Sequence, residues 1–209
     1  MGRRTVEITP SHITGLIAVT ISVYFMIAQR NDLSIVVASI YFTLACTTDT
    51  LKCKIPNLLN ACLLIAGIII STTNLGVPGL LSSLSGLGLG LALLLLPYIM
   101  GGMGAGDVKA LAALGALIGP YDILHVFIYM GLYGGVIAVV HYSYTANIKD
   151  MLRETWQSVC ATALDYKRDQ KRDQDSSTEP RPQKTSMRFP YSAAIAFGYY
   201  SFIYWGGLL

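Results

Sequence analysis

Charge is what this sequence has least of. Of its 209 residues only 13% are Asp, Glu, Lys or Arg, against 53% hydrophobic, whereas a soluble domain carries roughly a quarter charged residues. Mean hydropathy is +0.52, and the apolar residues gather in long runs. A water-soluble globule is thereby excluded, and an all-α polytopic membrane protein is expected, with the lipid bilayer as its surroundings. Cysteine is scarce too: Cys46, Cys53, Cys62 and Cys160 form no CxxC pair and no Cys/His cluster. Structural zinc needs closely spaced soft ligands, so no metal site and no cofactor are expected, and the cysteines read as small core residues. His12, His125 and His141 are joined by no motif and read as interfacial or core histidines. The net charge of +3 carries little information by itself, and no nucleic-acid partner is expected. After Ile13–Ala28 come Gln29, Arg30, Asn31 and Asp32, not the small residues a cleavage site needs. That stretch is therefore expected to be a retained span.

Seven apolar runs are present, at about 12–28, 33–48, 58–75, 79–100, 108–119, 121–145 and 190–208. The fifth is short for a helix that rises about 1.5 Å per residue across about 30 Å of hydrocarbon, so it must be tilted or shielded by its neighbours. If the seven spans alternate, every Lys and Arg except Arg30 falls on one side. The positive-inside rule then puts the N-terminus in the cytoplasm and the C-terminus outside. Four segments follow: an N-terminal span (1–32), a core (33–145), a polar insertion (146–188) and a last span (189–209). Within the insertion, Ile148, Met151, Leu152, Trp156, Val159, Ala163 and Tyr166 recur at helical spacing, the pattern of an amphipathic helix on the cytoplasmic face. The polar stretch KRDQKRDQDSSTEPRPQKTS that follows reads as a disordered connector. In the fourth span, Ser82, Gly86 and Gly90 lie at four-residue spacing and read as a close-packing stripe. Pro97 is expected to bend or end that helix.

Most of the 12 acids lie in plainly wet connections, which leaves Asp49 and Asp107. The first ends the second span and the second begins the fifth, so alternation brings both to the same, cytoplasmic, depth. An ionisable group at a membrane boundary is a candidate functional residue; the plainer alternative is an interfacial acid, solvated or paired with Lys52, Lys54 or Lys109. Two carboxyl groups sharing a water hold one proton between them: the ionised member takes a proton from water while the other protonates the developing oxyanion or leaving amine. Such a pair hydrolyses peptide bonds without metal or covalent intermediate. Around Asp49 and Asp107 the local sequence is distinctive. Pro56 and Asn57 form a turn into the third span. GGMGAG precedes Asp107, and its glycines, Gly104 and Gly106 among them, let a backbone strand or the second carboxylate approach closely.

Asp49 with Lys54-Ile55-Pro56-Asn57, and the block GGMGAGDVKALAALGALIGP (101–120), resemble the two signature regions of type IV prepilin peptidases, intramembrane aspartic proteases of the GxGD kind. The longer block, with Lys109, is similar to the compact TadV/CpaA-like branch that processes Flp/Tad pilins, and RFPYSAAIAFG (188–198) resembles that family's last span. The resemblance implies a six-helix core plus an extra N-terminal span, with Asp49 and Asp107 as catalytic dyad and Gly104, Gly106, Lys109, Pro56 and Asn57 shaping the substrate-binding loops. It implies a prepilin or pseudopilin substrate with a short basic leader, cut at the cytoplasmic face of a bacterial inner membrane. Nothing matches the paired CxxC domain of bifunctional members, so no methyltransferase activity is expected. Presenilin-like proteases differ, since here Tyr121-Asp122 follows the GxGD and no PAL motif is present. An archaeal preflagellin-type peptidase, or a non-enzymatic scaffold or transporter component, is the alternative.

Overall fold

The computed structural model describes residues 10–52, 55–99, 103–145 and 191–206. Those residues form seven helices and no strand: α1 (Pro10–Ala28), α2 (Leu33–Lys52), α3 (Asn57–Leu75), α4 (Val77–Ile99), α5 (Ala105–Ile118), α6 (Pro120–Thr145) and α7 (Tyr191–Trp205). Each corresponds to one expected apolar run, within a few residues at most ends. Three of them, α2, α3 and α4, hold stretches long and apolar enough to cross a membrane. The chain divides into two compact units, Met1–Ala138 with Phe189–Leu209, and Val139–Arg188. Of the second only the end of α6 is described; the amphipathic helix and connector expected at 146–188 lie outside the described residues.

The helix boundaries follow from local chemistry. Asp32 precedes α2 and its Oδ1 accepts from the backbone N–H of Ser34 at 2.9 Å, which satisfies an N–H that has no partner inside the helix. Pro56 is extended (φ −61°, ψ 131°) and opens α3 with Asn57 as its first residue, as the Pro-Asn turn leads one to expect. Between α5 and α6 the chain turns at Gly119, whose φ of +92° is strained for any residue with a Cβ. Pro120 then starts α6, where its missing N–H costs nothing. Pro97 lies inside α4, which continues to Ile99; so close to the helix end, few backbone hydrogen bonds are at stake.

Small residues govern how the helices meet. Gly79, Ser83, Gly86 and Gly90 are the buried face of α4, with Leu94. A Cβ on Gly86 would run into the backbone carbonyl of Gly115 on α5, and one on Gly115 into that of Gly86. One turn away, Ser83 Oγ donates to the Ala116 carbonyl at 2.7 Å. The close-packing stripe expected on α4 is therefore present, with Ser83 rather than Ser82 completing its buried row, while Gly88 faces open space.

Helix α5 is the centre of the unit. All of Val108–Leu117 except Lys109 is buried, against α3 and α4 with further contacts to α2 and α7. At about 1.5 Å per residue its 14 residues reach only about 21 Å. Being enclosed by its neighbours, it needs no apolar face of its own toward lipid. Helices α1, α2 and α7 are joined by aromatic contacts: Phe25 stacks on Tyr200 with ring centroids 4.8 Å apart, and Phe42 lies 5.6 Å from Tyr199. Outward, α3 and α4 expose Ile65, Ile69, Leu81, Leu91 and Leu96, an apolar surface suited to lipid and costly in water. Cys46 is buried as expected, but Cys62 is exposed, because it lies on that outward side of α3. Cys53 and Cys160 lie outside the described residues.

Candidate active site

Asp49 stands in the last turn of α2 and Asp107 in the first turn of α5. Both are half-buried, on helices that are in contact with one another. Carboxyl groups close enough to interact disfavour being charged together, the property an aspartate dyad would use.

Each acid has its own anchorage. Gly104 is the residue before α5, so Asp107 stands in the first turn, where the helix's unpaired N–H groups and positive dipole end favour a carboxylate. A Cβ on Gly104 would come within 3.2 Å of Asp107 Oδ2. Glycine there serves to admit the carboxylate, since its backbone (φ −81°, ψ 147°) is open to any residue. Gly106 differs: a Cβ would meet Ile55 only at 3.7 Å, an ordinary contact. Its carbonyl is what the structure uses. Asn60 Nδ2 donates to Gly106 O at 3.1 Å, and Tyr41 Oη donates to Asn60 Oδ1 at 2.7 Å. A buried relay thus ties α2, α3 and the glycine loop into one frame beneath the two acids.

Asp49 is held from the opposite side of the chain. Ser192, in the first turn of α7, donates through Oγ to Asp49 Oδ2 at 2.5 Å. Lys109, one of the cations available to pair with the acids, donates instead to Asn57 Oδ1 at 3.2 Å. This joins the start of α5 to the start of α3 and gives Lys109 and Asn57 a loop-shaping contact, with Pro56 setting the entry angle. The Lys52 side chain, Lys54, Gly101 and Gly102 lie outside the described residues. Among the described residues, no three His, Cys, Asp or Glu side chains gather where a metal could sit.

Residues 36–139 match the type IV leader peptidase family. The matched stretch contains Asp49, Asp107, the glycine loop and the Tyr41–Asn60–Gly106 relay, and it supports a leader-peptidase-like hydrolase embedded in a membrane. No curated protein and no solved structure matches the chain.

Two residues beside the candidate site escape reasoning from sequence. Asn60 carries a signal, an amide inside the apolar run NLLNACLLIA, where a polar side chain must find a partner. Ser192 carries none, being one serine among many at a span boundary; only the fold reveals that it reaches Asp49. His125 is a buried core histidine, its Nδ1 3.0 Å from the Tyr121 carbonyl. The side chains of His12 and His141 lie outside the described residues.

Proposed function

We propose that this chain is a membrane-embedded aspartic endopeptidase that removes the short basic leader of prepilins or pseudopilins of the Flp/Tad type. Asp49 and Asp107 activate a water between them: the ionised carboxylate takes its proton, the hydroxide attacks the scissile carbonyl, and the protonated partner delivers a proton to the departing amine. The glycine loop gives an extended substrate backbone access to Asp107, and Lys109, Asn57 and Pro56 keep that loop in place. The protein acts without methyltransferase activity. It spans a bacterial inner membrane seven times, with its N-terminus and active site at the cytoplasmic face, in keeping with the one-sided basic residues.

The observation that carries the reading is two half-buried acids on helices in contact, beside a glycine loop, inside the stretch that matches the leader peptidases. A scaffold would need neither two such acids nor their half-buried position, although Asp49 also has a structural partner in Ser192. Co-expression with a prepilin in cells lacking other leader peptidases separates the two readings. Wild type is expected to produce the leader-dependent size shift, and Asp49→Asn and Asp107→Asn to abolish it. Lys109→Ala is expected to weaken it only in part. Full cleavage by either aspartate variant would leave the scaffold reading standing.

A further inference from the structure

Asp49 sits at a helix end where a carboxylate is poorly served. The last turn of a helix presents carbonyl oxygens and the negative end of its dipole, so the helix itself offers no donor to a carboxylate there. Asp107, by contrast, stands in the first turn of α5, where unpaired N–H groups and the positive dipole end favour a carboxylate. The donor for Asp49 comes from elsewhere: Ser192, 143 residues away and 3% exposed, with Oγ 2.5 Å from Oδ2. The position of Ser192 is rigid. On the same helix Tyr200 Oη donates to Ser39 Oγ of α2 at 3.2 Å, and Tyr199 packs on Phe42 of α2. A Cβ on Gly198 would come within 2.8 Å of the α6 backbone at Met130 and Val126. Cys46, one turn before Asp49, is also fully buried.

We infer that Ser192 is a positioning residue for the reaction: its hydroxyl fixes the Asp49 carboxylate through Oδ2, so that Oδ1 is the oxygen presented to water and to Asp107. A hydroxyl has one proton to donate, and spent on Oδ2 it selects one orientation of the carboxylate. The inference rests on the dyad reading above, yet Ser192 lies outside the residues matched to the leader peptidases and so brings α7 into the site independently.

The test uses the full chain, purified in detergent, with a prepilin-derived peptide spanning the cleavage site. Steady-state rates are measured for wild type, Ser192→Ala, Ser192→Cys and Ser192→Thr, with thermal midpoints alongside, and for Asp49→Asn and Asp107→Asn. Loss of a hydrogen bond to a charged group is expected to lower kcat about tenfold or more in Ser192→Ala, with KM changed less than about twofold, the pattern of an interaction that matters in the transition state. Ser192→Thr retains the hydroxyl and is expected to recover most of kcat; Ser192→Cys, a weaker donor of similar size, falls between Ala and wild type. Wild-type kcat in Ser192→Ala overturns the inference. So does a set of three variants that are equally slow at unchanged thermal midpoint, which is the signature of packing. If either aspartate variant still cleaves, it is the dyad reading that fails; if both are inactive and Ser192→Ala is not impaired, only the role of Ser192 fails.

Discussion

Replacing Asn60 with leucine removes the centre of the relay that joins α2, α3 and the glycine loop. The substitution keeps the number and branching of the side-chain heavy atoms, although the two methyl groups are bulkier than the amide they replace. What it strips away are two hydrogen bonds: the Tyr41 donor, 2.7 Å from Oδ1, and the Gly106 acceptor, 3.1 Å from Nδ2. Tyr41 is 5% exposed, so its hydroxyl would find no water in place of the lost partner. An interhelical hydrogen bond in a membrane contributes about 0.6–2 kcal/mol, and leaving a buried group unpaired costs about 1–3 kcal/mol. Asn60→Leu is therefore expected to destabilise by roughly 2–4 kcal/mol. At about 2–4 °C per kcal/mol for a chain of this size, the thermal midpoint falls by about 5–15 °C. Tyr41→Phe breaks one of the two bonds and should cost about 1–2 kcal/mol. In Tyr41→Phe/Asn60→Leu the stranded hydroxyl is gone as well, so the double variant is expected to be more stable than the sum of the singles by about 1 kcal/mol. Thermal or denaturant unfolding of the four proteins in one detergent measures this cycle. Additive effects, or a thermal midpoint for Asn60→Leu within a degree of wild type, would refute the relay.

Other substitutions separate glycines by what surrounds them. Gly86→Ala places a Cβ against the Gly115 carbonyl and is expected to cost at least about 1–3 kcal/mol. Gly88→Ala, facing open space, should be neutral or stabilise by up to about 1 kcal/mol, read as thermal midpoints. In the loop, Gly104→Ala presses on Asp107 Oδ2 and is expected to lower cleavage severalfold, whereas Gly106→Ala, with only ordinary contacts, is expected to be milder; the reverse order would contradict the clearance argument. Incubation with a chelator is expected to leave the cleavage rate of the purified protein unchanged, and a loss restored by added metal would call for a different chemistry.

The contrast between what the sequence revealed and what it hid has a physical cause. Helix positions were legible because apolar runs, and a turn such as Pro56-Asn57 before α3, are local features that act through the adjacent backbone. Asp49 and Asp107 stood out as candidates because acids are rare beside apolar sequence. Rotation of each helix about its axis was not legible, since lipid-facing and buried residues are equally apolar. This is why Ser83 rather than Ser82 completes the buried row on α4, and why Cys62 faces outward. Contacts between distant helices, Ser192 to Asp49 and Asn60 to Gly106, depend on that rotation and on which helices are neighbours. The enclosure of α5 has the same origin: its shortness was visible in sequence, but its shield of α3, α4 and α7 is a tertiary fact.

The account stands on joint action of the two carboxylates. Its most direct test is the cleavage rate of the purified chain on a prepilin substrate for Asp49→Asn, Asp107→Asn and the double variant, each shown to be folded by an unchanged thermal unfolding transition. Residues that act as one unit are not additive, so all three are expected at the same floor. A single variant that keeps measurable leader cleavage, or a double variant slower than either single by a further large factor, would contradict it.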